Sequence, residues 1–219
     1  MKRTYGQFCG VARALELVGE RWALLIIRDL LVGPRRFTDL RRGLPKIPTN
    51  ILTARLQELE EAGVVRRRAL PRPATGVVYE LTAYGAELEP VVLGLGRWGA
   101  QSLGVPREEE IVTIDSMIMA LRTTFQSEAA RDLHARYEFH FGDVVINARI
   151  ADGTLVVAAG PLPDADLVLT TTAPLNPLLT GRISPAEAIE RGSVRISGDP
   201  VWLERFVEVF RIGAGVRGE

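Results

Sequence analysis

Along the first half of the chain, apolar residues recur at helical spacing, cut into short runs by glycine and proline. Val11, Ala14, Leu15 and Val18 predict a helix over 9–18, stopped by Gly19. Trp22, Leu25, Ile26 and Leu30 predict a second over 20–32, closed by Gly33 and Pro34. A third, short helix is expected over 37–44 with Thr38 as its N-cap. Pro45 and Pro48 bracket a tight connection. Thr49 then opens a longer helix to Gly63, whose Leu52, Leu56 and Leu59 give one buried stripe. The period changes after that: residues 64–70 and 77–81 read as strands around a loop at 71–76. Thr82 caps a fifth helix over 83–103, in which Leu88, Val91 or Val92, Leu95, Trp98 and Ser102 recur at the spacing of a helix–helix seam. Pro90 bends that helix or starts its main part. Short helix, turn, second helix and hairpin, in that order, make a winged helix-turn-helix.

The second half reads differently. A helix over 114–125 carries Met117, Ile118, Leu121 and Phe125 on one side. Strands follow at 137–141, 144–150, 155–159 and 167–171, with Gly142-Asp143 and Asp152-Gly153 as turn pairs, and these predict an antiparallel sheet. A short helix is expected over 173–180. Ser184 to Glu187 form a capping box with proline at the first helical position, starting a helix that Gly192 ends. A strand over 194–197 precedes a last helix, capped by Asp199 and Pro200 and running through Phe210. The expected fold is therefore multi-domain: an N-terminal, mostly α winged helix-turn-helix over 1–105 and a C-terminal α+β domain over 113–219. The linker between them is the Gly-Pro-acid stretch GVPREEE and its flank, 104–112. The tail GAGVRG from Gly213 reads as frayed, since it lacks the strand and helix of a phosphate loop.

Charge sharpens this division. The 27 Lys and Arg balance the 27 Asp and Glu, yet residues 1–105 hold 16 basic against 10 acidic and the remainder 11 against 17. A basic half beside an acidic one points to nucleic acid as the partner of the first. Apolar content of 47% excludes disorder as the main description. A lone cysteine excludes an internal disulfide, and with His134 and His140 the only histidines, neither a metal nor another cofactor is expected. No apolar run reaches the roughly 18 residues of a membrane span, and the opening MKRTYGQFCG has no apolar signal core. A cytoplasmic protein with no membrane partner is expected. No catalytic set of side chains stands out, so an enzyme is not.

The helix from Thr49 presents Asn50, Ala54, Gln57 and Glu61 opposite its leucines, with Thr53 beside them. Asn and Gln pair bidentately with adenine, and Thr and Ala suit a thymine methyl. The same pattern also describes a merely solvated face. Candidates for phosphate are Arg35, Arg36, Arg41 and Arg42 around the third helix, Lys46 before the fourth, Thr49 at its start, and Arg66, Arg67, Arg68 and Arg72 in the hairpin. Arg55 lies between faces and could pair with Glu58 or Glu16 instead. Cys9, one turn before Arg13 at a helix start, is either a thiol of lowered pKa or a small buried hydrophobe. Trp202, Phe206 and Phe210, together with Met117, Leu121 and Phe125, form either a solid core or the walls of a ligand cavity.

The runs ERW at 20–22, GPRRFTDL at 33–40, LTARLQELEEAG at 52–63 and YELT at 79–82 resemble the HxlR-type transcriptional regulators, a branch of the MarR-like winged-helix proteins. The likeness covers roughly residues 8–100. It departs at the wing tip, where PRPATGVVY stands for the family's Pro-Pro-Arg-Val-x-Tyr. It implies DNA binding, and the family includes members that sense oxidants or electrophiles through a cysteine at the position of Cys9. With the seam of the fifth helix, the expected assembly is a homodimer through the first and fifth helices on a pseudo-palindromic double-stranded site. The run from Asp164 to Phe210 is similar to sterol carrier protein type-2, and the likeness covers about residues 115–212. That likeness implies a sheet covered by helices around an apolar tunnel, here an effector domain for an apolar small molecule. The rival expectation is a lipid carrier whose winged helix serves assembly only; the basic hairpin argues against it.

Overall fold

The computed structural model describes residues 4–104 and 107–213. Val105 and Pro106 of the expected linker and the expected tail after Gly213 lie outside them. Packing divides the chain into two units, Met1–Val92 and Leu93–Glu219. The division falls inside a helix, ahead of the Gly-Pro stretch that punctuation favoured.

The first unit runs α1 (Gly10–Val18), α2 (Ala23–Val32), α3 (Phe37–Gly43), α4 (Thr49–Glu61), β1 (Val65–Ala69), β2 (Val77–Leu81) and α5 (Ala83–Ala86), then enters α6 (Glu89–Ala100). Its core is Ile26 and Ile27 of α2, Leu40 of α3 and the Leu52, Leu56, Leu59 stripe of α4. The expected stripe is therefore the buried one, each leucine stabilising by about 1.5–3 kcal/mol through apolar burial. Three local expectations change. Helix α2 starts at Ala23 rather than 20, because Trp22 takes the left-handed conformation, φ 83°, to turn the chain. A bulky residue there is strained; its ring is held by the core and by the Arg21 guanidinium, 5.0 Å from the ring centre. Arg36, not Thr38, precedes α3, and its N–H donates to the Asp39 carboxylate at 3.0 Å. The expected fifth helix is two helices, because Pro90 has no N–H and sits in the first turn of α6 instead of a helix interior. Gly85 lies against the connection just before β1 so closely that a Cβ would stand 2.0 Å from the Val64 carbonyl oxygen.

The second unit holds the rest of α6, then α7 (Ile114–Thr124), β3 (His134–Phe141), β4 (Val144–Ala151), β5 (Thr154–Ala159), β6 (Leu167–Thr171), α8 (Asn176–Leu179), α9 (Pro185–Glu190), β7 (Arg195–Gly198) and α10 (Val201–Val209). Asp152 and Gly153 both have positive φ, 50° and 75°, and form the tight hairpin their sequence predicts. The strand order is β5-β4-β3-β6-β7. The sheet is mixed, not antiparallel: β6 lies parallel to β3, Tyr137 beside Leu167, while the other pairs are antiparallel. The reason is the segment 160–166. It leaves β5 at one edge and crosses the sheet to the far side of β3, where the Leu162 N–H donates to Glu138 and the Asp166 N–H to the Arg136 carbonyl at 2.7 Å. Tyr137 and Phe139 alternate with Glu138 and meet Phe206 of α10, with ring centres at 5.7 and 5.4 Å. Among the described residues no helix is long and apolar enough to cross a membrane.

Candidate nucleic-acid interface

Burying Leu52, Leu56 and Leu59 leaves the opposite face of α4 to solvent. Thr49, Asn50, Thr53 and Gln57 are exposed there and Ala54 half-buried. Local bonds set the face. The Thr53 hydroxyl donates to the Thr49 carbonyl at 3.0 Å, and the Gln57 amide lies 3.4 Å from Glu61. Asn50 and Gln57, seven positions apart, share this surface, Asn50 in the first turn where a recognition helix places its base contacts and Gln57 two turns further on. Arg55 is only 16% exposed and is drawn off by Glu58, with Glu20 at 3.8 Å. Glu16, the other partner expected for it, binds Arg13 at 2.9 Å instead.

The hairpin β1–β2 carries its arginines on both faces, as strand alternation dictates. Arg66 stands directly across from Glu80, and Glu80 accepts from both Arg66 and Arg68 at 2.8 Å. Arg67 points the other way and donates to Glu60 of α4 at 3.0 Å. The hydrogen bond from Arg68, then that from Arg66, holds the Glu80 carboxyl below its ordinary range despite an opposing desolvation effect. The hairpin charge is thus partly balanced inside the unit, which a count of arginines does not reveal. Arg66 and Arg68 remain 65% and 42% exposed, so both can still reach an outside anion. Arg72 lies exposed in the loop. Arg35 is half-buried, its backbone bridged to Tyr79 by bonds of 3.0 and 2.8 Å, which ties the turn before α3 to the hairpin. Arg36, Arg41, Arg42 and Lys46 are exposed around α3 and its following turn. The sequence reading missed Glu60 and Glu80, the two acids that orient the wing. Glu80, on the strand opposite the arginine run, was the available signal.

Cys9 is exposed, which removes the buried-hydrophobe reading. It sits at the N-cap of α1, and the N–H of Ala12, then that of Val11, holds its thiol below the ordinary value. The cause is helix-terminal N–H groups; Arg13 is engaged with Glu16.

In the second unit, Phe125, Phe206 and Phe210 stand ring to ring, with centres at 5.5 Å for Phe125–Phe210 and 4.7 Å for Phe206–Phe210. Leu121 is buried, and Met117 and Trp202 half-buried. Tyr137 donates its hydroxyl to the Trp202 carbonyl at 3.2 Å, and burial pushes its phenol pKa up. His134 pairs with Asp152 at the surface and His140 with Glu138. Among the described residues no group of three or more His, Cys, Asp or Glu side chains could hold a metal ion.

Residues 17–106 match the family described as HxlR-like helix-turn-helix. Residues 110–213 match one described as alkyl sulfatase C-terminal, a different description from the sterol carrier likeness of the sequence. The uncharacterized HTH-type transcriptional regulator YdeP of Bacillus subtilis (strain 168) is 37% identical over 91 residues, 42% of this chain and 71% of its own length. YodB, an HTH-type transcriptional regulator of the same organism, is 39% identical over 88 residues, 40% of this chain and 79% of its own. A solved structure, the redox regulator HypR in its oxidized form, is 35% identical, with a TM-score of 0.42, covering 44% of this chain and 100% of that one.

Proposed function

The chain belongs to the HxlR-like helix-turn-helix transcriptional regulators, and from that premise we propose that it binds a pseudo-palindromic double-stranded DNA site as a homodimer and answers to an effector through its C-terminal unit. The observation that carries the DNA reading is the exposed row Thr49, Asn50, Thr53 and Gln57 on α4, backed by the arginines of the hairpin. Asn50 and Gln57 read base edges. Arg36, Arg41, Lys46, Arg66, Arg68 and Arg72 hold phosphate.

Two exposed apolar faces support the dimer. Helix α1 leaves Val11 and Leu15 open to solvent, and α6 leaves Val91, Leu95 and Trp98 open, Trp98 at 75%. Apolar side chains repeating at helical spacing and left in water are the mark of an association surface. Cys9, exposed and with a lowered pKa, is an oxidisable thiol in this reading and modulates the assembly through α1. The C-terminal unit is an effector domain of sterol-carrier-like kind, with Met117, Leu121, Phe125, Trp202, Phe206 and Phe210 as its apolar lining. The ring contacts that join Phe125, Phe206 and Phe210 support that role.

The test is selection of duplexes from a random pool by the full chain, followed by footprinting of the enriched sequence. The expected product is an inverted repeat with half-sites about one helical turn apart, lost in the N50A/Q57A variant. A pool with no enrichment, or enrichment that survives that variant, removes α4 from the reading.

A further inference from the structure

A cavity of about 490 Å³ opens in the C-terminal unit between the last turns of α6, the end of α7 and the residues that follow α10. It is separate from the aromatic cluster of Phe125, Phe206 and Phe210. Arg97 and Trp98 of α6 wall one side, Gln126 and Arg211 the other, with Gln101 at the rim. Its volume is that of a small-molecule site and far more than an inorganic ion fills.

The chemistry of the walls is specific. Among the described residues Arg97 makes no ion pair, and the Arg211 guanidinium donates its Nε to the Val207 carbonyl at 3.3 Å. Three other arginines of the same unit are matched to acids, Arg136 to Asp166 at 3.0 Å, Arg191 to Glu187 at 2.7 Å and Arg205 to Glu208 at 2.9 Å, while Arg149 reaches only the Asn147 amide among the described residues. Two guanidiniums with no acid partner among the described residues thus line one cavity of an acidic half. The Trp98 indole beside them is 75% exposed, a flat apolar wall. Gly94 completes the α6 side, and a Cβ there would meet nothing within 4 Å. Gly96, two residues on, is packed so tightly that its Cβ would stand 2.9 Å from the Thr123 hydroxyl. The helix is thus docked at Gly96 and open at Gly94. Gln126 is held by its amide, which donates to the Thr124 carbonyl at 3.0 Å.

We propose that this cavity binds an organic anion with a ring-sized apolar body. The carboxylate sits between Arg97 and Arg211, and the ring stacks on Trp98. Guanidiniums grip carboxylates by charge-assisted hydrogen bonds, and an indole face takes a ring by offset stacking. The site goes beyond the DNA reading and does not depend on it. It also meets the dimer seam at one residue: at about 100° per residue, 94, 97 and 101 form a stripe beside that of 91, 95 and 98. Trp98 lies on the border, so a bound ring reaches the exposed apolar face of α6.

The experiment is calorimetric titration of the full chain with 2-naphthoate, with the neutral alcohol 2-naphthalenemethanol as the matched control. One 2-naphthoate per chain is expected, and binding of the alcohol at least tenfold weaker. Arg97→Gln and Arg211→Gln should each weaken 2-naphthoate about tenfold, the lower range for a hydrogen bond to a charged group at an open site. Gly94→Phe, which builds a ring into the cavity, should abolish binding while circular dichroism stays unchanged. If that variant unfolds, Trp98→Leu takes its place, with loss of binding expected. No saturable heat up to millimolar 2-naphthoate overturns the proposal. So does equal affinity for the alcohol, or affinity unmoved by the arginine and cavity variants.

Discussion

Removing Arg66 and Arg68 together gives a sharp measure of the wing. Both lie on one face of β1, 65% and 42% exposed, and both lean on Glu80. If each holds one phosphate, a dimer loses four contacts in the R66A/R68A variant. The slope of log K against log salt then becomes shallower by about 3.6, at roughly 0.9 per contact. Between 50 and 200 mM salt the parent loses about 150-fold more affinity than the variant. Arg67 faces α4 and is tied to Glu60, so Arg67→Ala should leave the slope nearly unchanged. Glu80→Gln has the opposite sign from R66A/R68A. It frees two guanidiniums and removes a negative charge from the DNA side, so affinity rises. The assay is fluorescence anisotropy of a labelled selected duplex over a salt series. A slope unmoved by R66A/R68A, or an E80Q variant that binds more weakly, refutes a wing on the phosphates.

Asn50→Ala and Gln57→Ala should each cost about 1–3 kcal/mol of discrimination between the selected and a scrambled duplex, with the salt slope kept, as competition anisotropy will read. Leu95→Glu places a charge on the exposed face of α6 and should leave a monomer in sedimentation velocity at micromolar concentration, with unchanged circular dichroism. Gly85→Ala brings a methyl onto the Val64 carbonyl and should destabilise by about 1–3 kcal/mol in urea titration, as overpacking does. Burial pushes the Glu138 carboxyl pKa up, but the Leu162 N–H and His140 outweigh it and hold it below its ordinary value. Because the folded pKa is depressed, this stabilisation is full above the ordinary carboxylate range, about 4.3, and is lost as pH falls through the folded pKa. Glu138→Gln should flatten that acid limb in denaturation series from pH 3 to 7; an unchanged limb refutes the assignment.

Helix periodicity located α1 to α4, because a buried stripe such as Leu52, Leu56 and Leu59 repeats in sequence as it does in space. The Asp152-Gly153 turn was equally legible, since its positive φ angles demand those residue types. Strand patterning failed at one point: it marks 167–171 as extended but holds no information on which edge the strand joins. The parallel placement of β6 depends on the path of 160–166 and on the acceptors that hold it, the Glu138 carboxylate and the Arg136 carbonyl. At the interface, residue type and spacing exposed the α4 face. The pairing within the wing was not legible, because Arg66, Arg67 and Arg68 look alike in sequence, whereas pleating sends the middle one to Glu60 and its neighbours to Glu80. Trp22 could not be foreseen, since a left-handed tryptophan runs against its own preference and is held only by its surroundings.

The crossing at 160–166 also governs the order in which the chain acquires structure. β3, β4 and β5 are successive hairpins and can zip from the Asp152-Gly153 turn outward within microseconds. The central pair of β3 with β6 cannot, because Tyr137 meets Leu167 only after the whole meander and the crossing segment are laid down. Closing so long a loop before any contact rewards it makes this the slow event. The winged helix, built largely from neighbours in sequence and synthesised before the second unit, completes earlier. In a refolding mixture its α4 and hairpin should protect their amides well before β6 does. Each new chain thus passes through an interval in which its reading head is finished and its second unit is not.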